Sequence, residues 1–232
     1  MKFKKILKYI LGIISIIGLY LVMVGVWATL SVGELLPKSI ASNKQLLLTK
    51  QQTQILLKIE DPTFFDHAGI DISQGQGLTT ITSSLAREIF LSGKELMGVR
   101  GGLQSFYKAV FACCKKIDFG RDVMALVLNK NMSKEQQLQL FISSVYMGQH
   151  NRKAVIGLPA AANAYFNKNL LALSKEEFVT LIAMIKSPNL YHPINGAKQL
   201  EYRVFKINSL LAGTCKPSGW FDTEYVNCKS ET

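Results

Sequence analysis

The sequence predicts an all-α domain behind one N-terminal membrane-spanning helix, and three observations predict it. From Tyr9 to Leu30 there is no charged side chain, a run long enough to cross a bilayer as a helix. Beyond it, apolar residues recur at helical spacing. No segment alternates apolar and polar residues over a useful length, and neither repeats nor low-complexity tracts appear.

The span is read as residues 6–30, behind a cytoplasmic tail of residues 1–5. Lys2, Lys4, Lys5 and Lys8 precede it or open it. The positive-inside rule therefore puts the N-terminus in the cytoplasm and the rest of the chain outside. A cleaved signal would have a shorter apolar region, about 7–15 residues, so an uncleaved anchor fits better. A juxtamembrane link follows at 31–42, then a domain at 43–208 and a C-terminal tail at 209–232. With 232 residues the chain has room for one such domain and its anchor.

The net charge of +11 exceeds what the N-terminal lysines supply, so the exported part is itself basic. Outside a cell its anionic partners are lipid headgroups, phosphate-bearing substrates or acidic wall polymers, and nucleic acid is excluded by compartment. Cys215 and Cys228 flank a turn-rich stretch, and a disulfide between them would contribute on the order of 3 kcal/mol. Cys113 and Cys114 sit in an apolar helical run as buried thiols. No CxxC pair or Cys–His spacing suits a metal.

In chain order, residues 43–59 suit a helix that delivers Glu60 at or just past its end. Thr79 or Thr80 would cap the next helix, on which Ile81, Leu85 and Ile89 share a face. Its hydroxyls, free amides and Arg87 make a candidate phosphate site. Residues 96–116 form an amphipathic, basic helix with Leu103, Phe106, Tyr107, Val110 and Phe111 on one face, suited to a membrane surface or to a core. Helices are also expected at 125–128, at 134–146 behind the Ser133/Gln136 capping box, at 157–166, and from Ser174 to Ile185.

The stretch that concentrates chemistry is Glu60 to Asp71, with four acids, one histidine and two adjacent aromatics in twelve residues. Carboxylates beside apolar surface can be tuned by desolvation and neighbouring charge into general bases.

The order of motifs resembles glycosyltransferase family 51, the peptidoglycan glycosyltransferases. Glu60, Asp61, Phe64, His67, Gly69 and Asp71 match every fixed position of that family's first motif. Gly77, Thr79, Thr80, Ile81, Thr82 and Arg87 match its second, with Ser83 and Ser84 replacing glutamines. The stretches 157–168 and 186–193 resemble its later motifs. The third motif, which supplies cations and a second glutamate, is degenerate. Asp118, Asp122 and Glu95 are candidates for that carboxylate, and Lys115, Lys116 and Arg121 for the cations.

The resemblance implies a lysozyme-like helical lobe with a smaller membrane-facing jaw. It implies polymerisation of lipid-linked disaccharide-pentapeptide (lipid II) into glycan with loss of undecaprenyl pyrophosphate. Glu60 would be the base, Asp61 would order the hydrogen-bond network, and Thr79, Thr80 and Arg87 would hold the pyrophosphate. Phe64, His67, Gly69 and Asp71 would shape the turn. No cofactor is required by the resemblance, although a divalent ion could help neutralise pyrophosphate. Expected partners are the precursor, the growing strand, membrane lipids and cell-wall synthesis proteins. Two rivals stand beside this reading: an impaired relative that only binds the precursor or wall-synthesis proteins, and a lytic wall hydrolase on the same scaffold.

Overall fold

The structure is a computed structural model that describes residues 2–37, 47–71, 79–113, 119–219 and 222–228. The chain forms two compact units. The first comprises residues 1–38, 68–70 and 82–132, and the second residues 39–67, 71–81 and 133–232.

The first unit is built on α1 (Lys2–Leu35), a single helix of 34 residues. Its segment Lys4–Leu35 is long and apolar enough to cross a membrane. Ile6 to Leu19 expose their large apolar side chains, whereas Val24, Trp27, Ala28, Val32 and Leu35 are buried. α1 packs against the π-helical segment Arg87–Ser92 that continues α3 (Ile81–Ala86), against α4 (Gly98–Cys113) and against α5 (Phe119–Asn131). Trp27 stacks edge-on against Tyr107 at 5.0 Å, and its indole N–H donates to the Arg100 carbonyl at 3.0 Å. Glu34 receives Lys94 at 3.0 Å and Arg100 at 2.9 Å. Residues 31–35, expected in a link, are therefore helix, because Val32 and Leu35 have a protein surface to bury. On α4, Tyr107 is buried while Phe106 remains exposed, so only part of the expected apolar face is covered.

Gly69 shows why that residue type is required. Its φ is +115°, a conformation that side chains avoid. A Cβ there would stand 2.8 Å from the Ala125 carbonyl oxygen of α5.

The second unit starts with α2 (Lys50–Glu60), whose Thr49/Gln52 capping box satisfies its first amides. It continues with α6 (Lys134–Ser144), α7 (Leu158–Phe166), α8 (Lys175–Ile185) and α9 (Ala197–Ala212). The core is drawn from Leu56, Leu138, Ile142, Phe178, Leu181, Ile182 and Ile207, all fully buried. α8 packs on α9 and α2, and α7 on α6 and α8.

One difference from the sequence reading is a small antiparallel hairpin, β1 (Tyr146–His150) and β2 (Lys153–Ile156), which begins where a helix to residue 146 was expected. Its ladder is irregular between Tyr146 and Gln149, so the alternation that would signal a strand is broken. Gly157, at φ +85°, turns the chain from β2 into α7 with its would-be Cβ 2.6 Å from the Ser143 carbonyl oxygen.

Replacing Gly69 by Ala combines backbone strain with a clash against main chain. A loss of at least about 2 kcal/mol in unfolding free energy is expected, measured by urea denaturation in detergent.

Candidate active site

Glu60 ends α2, and the placement follows from the helix. Ile55, Leu56 and Ile59 are buried, which fixes the helix's rotation and turns the last residue toward α8 and α9. Glu60 is partly accessible to solvent. Dense protein surroundings nevertheless raise its pKa to about 7, against the pull of Arg203 and Lys186 and with a push from Asp61. Among the described residues no hydrogen bond holds its carboxylate. It is thus a carboxyl poised to exchange a proton near neutral pH.

Asp61 does different work. It is buried, and its carboxylate meets His67 Nε2 at 2.9 and 3.1 Å and accepts from the Ile81 amide at 2.9 Å. One carboxylate thereby closes the turn of the first motif and satisfies an amide at the start of α3, where negative charge is favoured. Thr63 donates its hydroxyl to Asp71, closing the other side of the turn. Phe64 is buried, and the Lys134 ammonium lies 4.5 Å above its ring. Burial lowers the Lys134 pKa to about 8, with Asp61 opposing. Lys134 was not singled out from sequence. Its place at the start of a capped helix looks ordinary until the fold brings it to Phe64.

Of the second motif, Thr80 is buried and Thr79 exposed. Arg87, in the first unit, is exposed, with its guanidinium 5.7 Å from the Phe111 ring. Arg121 and Asp122 are buried and bonded to each other, Nη2 to Oδ1 at 3.0 Å. Glu95 is exposed and faces Lys108 at 3.5 Å. Lys115, Lys116, Asp118 and Gly77 lie outside the described residues. Cys215 and Cys228 are bonded, and among the described residues no cluster of His, Cys, Asp or Glu could hold a metal ion.

Two neighbours of Glu60 were given no role from sequence, although one of them heads the 186–193 stretch. Arg203 of α9 and Lys186 just past α8 are the cations that face Glu60. Arg203 is buried, donates to the Ala183 carbonyl at 3.0 Å and stacks on Tyr191 at 5.2 Å. Nothing in the local sequence of either residue marks it as a neighbour of Glu60.

The transglycosylase family profile matches residues 38–211, three quarters of the chain, and the chain belongs to that family. It is 27% identical over 175 residues to penicillin-binding protein 1B of Buchnera aphidicola subsp. Acyrthosiphon pisum, an alignment covering 67% of this chain and 21% of that protein. It is 29% identical over 153 residues to penicillin-binding protein 1F of Bacillus subtilis, covering 63% and 20%. Against penicillin-binding protein 1B of Escherichia coli K12 the identity is 27% over 157 residues, covering 62% and 16%. The chain spans about a fifth of the length of these relatives.

A carboxyl whose folded pKa is raised favours the fold while it is neutral. That contribution is full below the unfolded value near 4.5 and is lost as pH rises through about 7. Glu60→Gln, which cannot ionise, should therefore be more stable than the native protein at pH 8–9, by up to about 3 kcal/mol. The difference should vanish near pH 4 in thermal or urea unfolding followed across pH.

Proposed function

We propose that the chain is a membrane-anchored peptidoglycan glycosyltransferase that polymerises lipid-linked disaccharide-pentapeptide. The observation that carries this reading is Glu60: a family-motif carboxyl at a helix end, with its pKa raised to about 7 and two cations facing it. In the reaction, the acceptor sugar's 4-hydroxyl gives its proton to the Glu60 carboxylate as its oxygen bonds to the anomeric carbon. The bond from that carbon to the pyrophosphate breaks on the opposite face, and undecaprenyl pyrophosphate leaves with the electron pair. A sugar hydroxyl is a weak nucleophile, so a base within reach speeds the step, whereas pyrophosphate is a good leaving group once its charge is met. Thr79, Thr80, Arg87, Lys115, Lys116 and Arg121 are the proposed contributors to pyrophosphate binding, and Asp61 orders the motif around the base.

The proposed location is the inner membrane, with a single span, a cytoplasmic N-terminus and the catalytic domain outside. The apolar segment of α1 and the lysines before it support this. The Cys215–Cys228 bond also suits an oxidising compartment.

A second reading, a relative that binds the precursor without polymerising it, draws on one observation. Asp122 and Glu95, candidates for the second carboxylate, are both engaged by cations within the first unit.

Purified protein given lipid-linked precursor should produce glycan chains, and Glu60→Gln should lower the rate by about 100-fold or more. Normal turnover by that variant would sink the assigned mechanism. Precursor binding without product from the native protein would favour the second reading. Because the base form dominates above its pKa, kcat should rise with pH through about 7 and fall about tenfold per unit well below it, as read from initial rates in buffers of constant ionic strength.

A further inference from the structure

The C-terminal loop is internally braced and fastened to the segment that bears Glu60. Besides the disulfide, the Asp222 carboxylate accepts from the Ser218 amide at 2.8 Å, the Ser218 hydroxyl at 3.0 Å and the Val226 amide at 3.1 Å. Tyr225, buried, donates its hydroxyl to the carbonyl of Ile59 at 3.2 Å, one residue before the base. Its backbone lies in the left-handed region at φ +53°, which a bulky side chain occupies only where the surroundings enforce it. Those surroundings are the Arg203 guanidinium 5.6 Å from its ring and the bridge at Cys228.

The same loop takes hold of the cations. Lys186 donates to the Thr223 carbonyl at 2.7 Å, to the Thr223 hydroxyl at 2.9 Å and to the Glu224 carboxylate. Arg203 donates to the Thr223 carbonyl at 3.3 Å, and Lys206 to the Glu224 carbonyl at 2.9 Å. The charged groups facing Glu60 are Asp61 beside it, Lys186 at the end of α8 and Arg203 on α9. Glu224 acts on it through Lys186.

We propose that the loop closed by Cys215–Cys228 is a clasp that positions Glu60, with Tyr225 and Glu224 as positioning residues: the Tyr225 hydroxyl fixes the Ile59 carbonyl, and the Glu224 carboxylate draws the Lys186 ammonium away from the base. The inference rests on Glu60 being that base. An ammonium released from Glu224 is free to turn to Glu60 and hold it ionised, which makes it a weaker proton acceptor. A loosened Ile59 carbonyl lets the end of α2 fray and the base wander from its hydroxyl.

The test uses the full chain in detergent and measures two quantities. Carbodiimide labelling of Glu60, quantified by mass spectrometry across pH, gives its titration midpoint without any need for turnover. Polymerisation kinetics give kcat and KM. Glu224→Gln should lower the labelling midpoint by about half a pH unit or more. Tyr225→Phe, which keeps the ring and removes only the hydroxyl, should reduce kcat about threefold or more with KM little changed. The double variant Cys215→Ala/Cys228→Ala should show both effects. Midpoints and kcat values equal to those of the native protein in all three variants would overturn the clasp. Absence of polymerisation by the native protein would instead overturn the proposed function, and the labelling midpoints would still decide whether the loop governs Glu60.

Discussion

The carboxyl of Glu60 sits where burial outweighs the cations that would keep it ionised, which brings its proton exchange close to neutral pH. Its position at the C-terminal end of α2 adds to the burial effect, because the negative end of a helix dipole disfavours a carboxylate. Lys186 and Arg203 pull the other way. Neither cation contacts it in a closed ion pair, since each is engaged elsewhere, Arg203 by the Ala183 carbonyl and Lys186 by Thr223 and Glu224. Positive charge thus stands near Glu60 without neutralising it.

Asp61 shows how much a neighbouring carboxylate's role depends on what surrounds it. It is adjacent in sequence and buried, yet it meets His67 and the Ile81 amide. It is committed to holding the turn, while among the described residues no hydrogen bond holds the Glu60 carboxylate. Two acids side by side thus differ in kind, Asp61 held by hydrogen bonds and Glu60 with its pKa raised by burial, because environment rather than residue type sets their properties.

Much of this was readable from residues alone. The capping box at Ser133 and the helix start at Ser174 marked the beginnings of α6 and α8, and the spacing of Ile55, Leu56 and Ile59 put Glu60 at a helix end. His67, expected to shape the turn, meets the Asp61 carboxylate. What could not be read depends on contacts distant in sequence. Arg203 lies 143 positions beyond Glu60 in a helix whose pattern looks ordinary, and no local signal links them. The β1–β2 hairpin was hidden by its irregular register, and the extent of α1 by the change in hydropathy after Leu30. The helix persists there because Val32 and Leu35 are buried and α4 with the turn before it supplies partners for Glu34.

The unbroken course of α1 has a mechanical consequence. Thirty-four residues at about 1.5 Å each form a rod of about 51 Å, longer than the roughly 30 Å hydrocarbon core of a bilayer. A flexible link of a dozen residues would let a tethered body roam about 20 Å from its anchor and tumble freely. A rod whose far end is packed into the first unit allows neither. With its near end held in a membrane, the first unit would have a set height above the lipid and a set azimuth about the rod. Its encounters within the membrane plane would then combine lateral diffusion with rotation about the membrane normal, without the free tumbling that a flexible tether permits.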